Sequence, residues 1–184
     1  MLTLLLGGAR SGKSALALRL ASAGPSPIIF VATGEALDDE MAERIARHRA
    51  ERPASWATVE APLDIEKALS SVEKGGTVII DCLTLWVGNL LAAGHADGEV
   101  LDHAIKVAAG AAARTGLVIV VSNEVGSGIV PGDALSRLYR DLLGRVNTVF
   151  AEHAADAFLV VAGRAVPLLR LAPAGAPGQE APAP

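Results

Sequence analysis

The sequence predicts an α/β domain of three layers: a mostly parallel sheet with helices on both faces, an antiparallel C-terminal edge strand, and the loop of a P-loop NTPase after the first strand. Three observations predict it. Five short apolar runs recur, LTLLLG (2–7), IIFVAT (28–33), TVIIDCL (77–83), LVIVVSNE (117–124) and AFLVVAG (157–163). Each is near-continuous, without in-out alternation, as in strands buried on both faces of a parallel sheet. Between them lie helix-like segments at 13–23, 38–50, 65–74, 99–114 and 133–154; strands alternating with helices imply right-handed crossovers. Finally, GGARSGKS (7–14) fits G-x-x-x-x-G-K-[ST] between a strand and a helix, the context that motif requires.

The composition agrees. The chain has 184 residues, enough for one domain, expected over 1–172. Half of the residues are hydrophobic (51%) and mean hydropathy is +0.41, which excludes a disordered chain. Aromatics are only 3%; the apolar content is mostly Ala, Leu and Val, suited to helices on β-branched strands. A net charge of −4 argues against a general nucleic-acid binder. The single cysteine, Cys82, can form no disulfide within the chain and reads as a buried, reduced thiol of a cytoplasmic protein. No apolar run reaches the roughly 18 residues of a membrane span, and the start MLTLLLGGARSGKS is interrupted by glycine too soon for a signal peptide.

Along the chain, the first strand leads into the loop Gly7–Ser14. Its small residues let backbone N–H groups wrap a phosphate, with the next helix N-terminus aimed at the anion. Lys13 is placed to reach the β and γ phosphates and Ser14 to ligate Mg²⁺. Such an ion needs a carboxylate from a neighbouring strand end, which VIIDC offers as Asp81. A cap for the following helix is the competing role.

The second helix begins at an Asp38 cap and ends before Pro53. Leu37, Met41, Ile45 and His48 share one face, with Arg44 and Arg52 four residues either side of His48 and Arg47 and Arg49 beside it. A solvated charged face and a core histidine are the ordinary readings. Against them, cationic neighbours favour the neutral, nucleophilic imidazole, and the arginines can offset charge developing on a polyphosphate.

Later segments carry weaker signals. LWVGNLLAAG (85–94), with Trp86, reads as an exposed helix packed against another subunit. SNEVGSGIVP (122–131) reads as a substrate-facing loop with Asn123 and Glu124 on the binding edge, Glu124 being a candidate base or metal neighbour. Arg145 and Asn147 of GRVN (144–147) are candidate contacts to ligand or to a partner subunit. AVPLLRLA (165–172) is the antiparallel edge strand, where Pro167 is tolerated. The tail 173–184, rich in Pro, Ala and Gly, is expected to be disordered.

Five blocks, GGARSGKS, ATGEALDDEMAERIARHRAERP, DCLTLWVGNLL, SNEVGSGIVP and GRVN, occur in that order. Together they resemble the bifunctional adenosylcobinamide kinase / adenosylcobinamide-phosphate guanylyltransferase family of cobalamin biosynthesis, over about residues 1–163. The resemblance implies two reactions: phosphorylation of the adenosylcobinamide hydroxyl by a nucleoside triphosphate, then transfer of GMP from GTP through a histidine phosphoramidate to give adenosyl-GDP-cobinamide. ATP and GTP are the implied substrates and Mg²⁺ the cofactor. Some relatives have two adjacent histidines; here Arg47 precedes His48, so His48 alone can carry GMP. The implied nucleotide contacts are Gly7, Gly8, Ala9, Arg10, Ser11, Gly12, Lys13, Ser14, Ala32, Thr33, Gly34, Arg49, Ala50, Glu51, Arg52, Glu60 and Asp81. A homo-oligomer, specifically a trimer, is also implied. A plain small-molecule kinase and a non-transferring ATPase or switch remain the alternatives.

Overall fold

The computed structural model describes residues 1–36 and 38–170. Its elements are β1 (Leu2–Leu6), α1 (Lys13–Ser22), β2 (Ile28–Ala32), α2 (Asp39–Ala50), β3 (Ala57–Glu60), α3 (Ile65–Ser71), β4 (Thr77–Asp81), α4 (Leu83–Ala92), α5 (Asp97–Ala112), β5 (Val118–Val121), α6 (Ala134–His153), β6 (Asp156–Val161) and β7 (Arg164–Pro167). Aspartates 38, 64 and 133 begin α2, α3 and α6 and accept the N–H groups of Met41, Lys67 and Ser136 at 2.7, 3.0 and 2.8 Å, satisfying donors that a helix start leaves without partners.

One seven-stranded sheet runs β3-β2-β4-β5-β1-β6-β7. All pairings are parallel except β6 with β7. Successive side chains of the central strands alternate between two cores. Leu2, Leu4, Val78, Ile80, Val118 and Val120 pack under α3 to α6, while Leu5, Ile79, Ile119 and Val121 pack under α1. Both faces being covered explains why the runs in β1, β4 and β5 are uninterrupted. All the parallel strands end on the same edge, where open sheets of this kind bind ligands.

The expected edge strand exists, shortened to Arg164–Pro167, with Pro167 opposite Phe158 at the free edge. The tail, residues 171–172 and Leu37 lie outside the described residues. Two elements depart from expectation. The four-residue β3 is absent from the predicted strands, because its edge sequence ATVE has neither an apolar run nor full burial. The 85–94 segment lies in α4 up to Ala92, but Trp86 is not on its surface: it is fully buried in this chain, and its indole N–H donates to the Leu63 carbonyl at 2.8 Å. Trp86→Ala is expected to cost about 3–5 kcal/mol, measured as the shift of the urea-unfolding midpoint. Trp86→Phe is expected to cost less, chiefly the lost hydrogen bond at about 1 kcal/mol.

Asn147 likewise faces inward. Ser122 donates to its Oδ1 at 2.6 Å, and its Nδ2 donates to the Asn123 carbonyl at 3.0 Å. The expected ligand or subunit contact is therefore replaced by a buried brace between α6 and the end of β5. Arg145 is exposed.

Candidate active site

The loop after β1 is shaped by two glycines with positive φ. Gly7 (φ 153°) has no room for a Cβ, which would collide with the Val160 carbonyl, and a Cβ on Gly12 (φ 101°) would stand 3.2 Å from Gly163 Cα. The loop is thus wedged against the β6–β7 turn, and the Gly163 N–H donates to the Ser11 carbonyl at 2.8 Å. Lys13, buried at the start of α1, donates through Nζ to the carbonyls of Gly7 (2.8 Å) and Gly8 (2.7 Å). Burial draws its pKa down; the nearby Cys82 and Asp81 act in the opposite direction. These loop carbonyls hold the ammonium where a bound phosphate would compete for it.

A cleft of about 350 Å³ opens between this loop, the ends of β2 and β4, and α2. Residues Ala9 to Ser14, Ala32, Gly34, His48, Arg52 and Asp81 all line it. Asp81 faces the cleft rather than capping α4, whose N-cap is Cys82. Burial raises the Asp81 pKa above the ordinary value, and His48, Ser14, Lys13 and Arg52 pull it back. A half-buried carboxylate beside the Ser14 hydroxyl and the Lys13 and Arg52 cations is poised to accept a metal ion or share a proton. Ser14 and Asp81 are hard oxygen donors. Among the described residues no cluster of three or more His, Cys, Asp or Glu side chains forms a closed metal cage.

No residue of α2 is buried. Met41, Arg44, Ile45 and His48 form the cleft-facing side that the helical spacing predicts. Arg52 fastens the end of this helix to the sheet. Its Nε donates to the His48 carbonyl (3.0 Å), its NH1 to Thr58 Oγ1 (3.2 Å), and its guanidinium lies 3.9 Å above the Phe30 ring centroid, a cation–π distance. The His48 Nδ1 edge faces Glu51 Oε2 at 3.9 Å.

Other expected contacts stand apart from the cleft wall. Gly7 and Gly8 lie behind the Lys13 ammonium. Thr33 is fully buried and braces Cys82, donating to its carbonyl and accepting from its N–H, both at 2.7 Å. Arg49, Ala50 and Glu51 are exposed. Glu60 ends β3 opposite Ala32 and lines an adjoining hollow with Pro62, Leu63 and Lys67. Glu124 accepts the Gly126 N–H at 2.5 Å and stabilises its own loop. Cys82 is the half-buried free thiol the sequence suggests, packed against the core under α1 and also lining the cleft, its pKa pushed up to about 11 by burial and then by Asp81. Phe30, Leu85 and Val121 also line the cleft. The period-two alternation of β2 could have revealed Phe30, since it shares a side with Ala32.

Comparison with known proteins supplies the family. The sequence model of "Cobinamide kinase / cobinamide phosphate guanyltransferase" matches residues 3–168. The chain belongs to this family. It is 45% identical over 172 residues to the bifunctional adenosylcobalamin biosynthesis protein CobP of Pseudomonas aeruginosa, covering 91% of this chain and 97% of that one. It is 39% identical over 176 residues to the CobU protein of Salmonella typhimurium, covering 89% and 97%. An ATPase of a bacterial type III secretion system superposes with a TM-score of 0.58 at 14% identity, over 86% of this chain and 50% of that one. That likeness is one of fold, the P-loop NTPase fold expected from the sequence. As a family member the chain is an enzyme of cobalamin biosynthesis, and its P-loop is a nucleotide site. Among the described residues no helix is long and apolar enough to cross a membrane.

Proposed function

We propose that this chain performs two transfers in one cleft: phosphorylation of adenosylcobinamide by ATP or GTP, then delivery of GMP from GTP to the new phosphate by way of His48. The observation that carries the reading is the convergence of His48 with Lys13, Ser14 and Asp81 on a single cavity. The last three serve phosphoryl transfer, and the imidazole beside them supplies a nucleophile for a second transfer.

In the first transfer the corrinoid hydroxyl oxygen bonds to the γ-phosphorus and the bond to the β–γ bridging oxygen breaks. Lys13 offsets charge on the terminal phosphates, and the loop N–H groups hold the β-phosphate. In the second, His48 attacks the α-phosphorus through Nε2, the nitrogen turned away from Glu51. The α–β bridging bond breaks and pyrophosphate leaves. The corrinoid phosphate then attacks the same phosphorus, and the imidazole recovers its electron pair as the P–N bond breaks. Splitting one displacement into two is the advantage of a covalent intermediate. Arg44 and Arg52, both on the cleft wall, are suited to offset charge on the α-phosphate.

Mg²⁺ fits the donor set of Ser14 and Asp81, because that ion takes few protein oxygens and completes its sphere with phosphates and water. When bound, it would neutralise charge shared by the β and γ phosphates. A cytoplasmic, homo-oligomeric, specifically trimeric, enzyme is part of the proposal. Support for assembly comes from the exposed apolar residues Ile129, Val130, Leu135 and Leu138 beside the 122–133 loop.

Supplying adenosylcobinamide, ATP and Mg²⁺, then GTP, tests the reading by chromatography of the corrinoid products. The expected sequence is adenosylcobinamide phosphate, then adenosyl-GDP-cobinamide with release of pyrophosphate. Phosphorylation with no GDP-linked product would leave a plain kinase.

A further inference from the structure

We propose that the side-chain amide of Asn123 donates to the γ-phosphoryl group during phosphorylation of the corrinoid hydroxyl, and that it contributes far less to transfer of GMP onto His48. The proposal rests on the two-transfer reading and assigns one residue to one of its halves.

Strand order sets the position. β5 lies between β1, which feeds the phosphate loop, and β4, which carries Asp81. Val121 is in register with both Leu5 and Asp81. Asn123 follows two residues later on the same side, and Val121 and Asn123 both line the cleft. On either side of it the chain remains tied to β1 and the loop: Ser122 N–H donates to the Leu5 carbonyl (2.9 Å) and Glu124 N–H to the Gly7 carbonyl (3.2 Å).

The backbone of Asn123 is held on both of its polar groups. Its N–H donates to Thr84 Oγ1 at 2.9 Å, and its carbonyl accepts from Asn147 Nδ2 at 3.0 Å. Each partner is itself fixed. Ser122 donates to Asn147 Oδ1 at 2.6 Å, both residues being buried, and the Tyr139 hydroxyl donates to the Thr84 carbonyl at 3.0 Å. Buried polar groups need such partners, and here they immobilise one strand end. The Asn123 carboxamide takes no part in this network and, among the described residues, makes no hydrogen bond of its own. A rigid mount presenting an unengaged donor to a reacting group is how preorganised stabilisation of developing charge is built.

The chemistry separates the two transfers. With the β-phosphate wrapped by the loop, the terminal phosphoryl group reaches the strand end between Lys13 and Asp81, beside Asn123. In phosphorylation the hydroxyl oxygen bonds to this phosphorus, the bridging bond breaks with its electron pair passing to the diphosphate, and the hydroxyl proton goes to water. Charge is redistributed over the equatorial oxygens that the amide would contact. In transfer to His48 the bond broken is α–β and the new charge falls on the β-phosphate. The γ group is then a spectator, and loss of the amide is felt in GTP binding.

Asn123→Ala and Asn123→Asp in the full chain test this. Two readouts are compared: the kcat for ATP-dependent phosphorylation of adenosylcobinamide, and the single-turnover rate of label transfer from α-³²P-GTP to the protein at saturating GTP. Asn123→Ala is expected to lower the first about 100-fold, the scale of one lost charge-stabilising donor, and Asn123→Asp to lower it further by placing an anion beside the phosphates. The second rate is expected to change by less than about threefold in Asn123→Ala, since the amide would act there only through binding. Equal losses in both rates, or a kinase kcat within about threefold of the parent, would overturn the assignment. If either variant fails to fold, Asn123→Ser, which keeps a short donor, is expected to fall between the parent and Asn123→Ala in kinase kcat; parent-like phosphorylation or an equal loss in both rates would reject the proposal. If the parent itself forms no labelled adduct, the two-transfer reading fails while the kinase comparison still decides the role of Asn123.

Discussion

Replacing Asp81 by asparagine is expected to abolish phosphoryl transfer while raising the melting temperature of the ligand-free protein. Both effects have one cause. The carboxyl group is half-buried at the end of β4, and desolvation there raises its pKa despite the opposing pull of His48, Ser14, Lys13 and Arg52. Its ionised form is therefore kept at a cost to the fold, which a neutral amide of the same shape removes. The amide is a poor partner for a phosphate-bound cation. Loss of charge stabilisation worth several kcal/mol predicts at least a 100-fold fall in kcat, at about 1.36 kcal/mol per tenfold.

The sign of the pH dependence follows. The folded pKa lies above the unfolded one, so the folded state binds a proton that the unfolded state releases. The stability from the neutral carboxyl is present below the ordinary value of 3.8 and is lost as pH rises through the raised folded value. The Asp81→Asn variant has no carboxyl at this position and lacks this loss. Melting curves of parent and Asp81→Asn should therefore coincide at the acid end and diverge as pH rises, each 1 kcal/mol appearing as about 2–4 °C. Coincident curves at neutral pH, or retained activity, would contradict this account of Asp81.

The second large effect is expected at His48. His48→Ala should stop GMP transfer, by at least about a thousandfold if the imidazole is the covalent nucleophile. It should leave measurable ATP-dependent phosphorylation, because Lys13, Ser14 and Asp81 remain in the cleft and only one of the neighbours of Asp81 is lost. The carbonyl that Arg52 grips belongs to the His48 backbone, and the substitution preserves it, so the stacking of Arg52 on Phe30 survives. A loss confined to one product therefore reports chemistry and not collapse of α2. The corrinoid products formed by the variant separate these outcomes.

Much of this site is legible in the sequence because it depends on local signals. Glycines at 7 and 12 are required where φ is positive and where β6 and the β6–β7 turn press close. Asp81 is conspicuous because an acid ends an otherwise apolar strand, and His48 because it shares a helical face with Met41 and Ile45. The missing parts depend on distant partners. The strand β3 is recognisable only through its pairing with β2. Trp86 and Asn147 look like surface candidates until the carbonyls of Leu63 and Asn123 are brought to them across 23 and 24 residues of sequence. Glu60 joins the nucleotide contacts by resemblance alone, yet its strand end opens on the neighbouring hollow.

The most direct test of the central claim is to incubate the protein with α-³²P-GTP and Mg²⁺, quench under denaturing alkaline conditions, and map the label by proteolysis and mass spectrometry. GMP on the peptide bearing His48, lost in mild acid and absent from His48→Ala, is the predicted result. A parent protein that stays unlabelled, or an adduct that forms equally well without the imidazole, would contradict it.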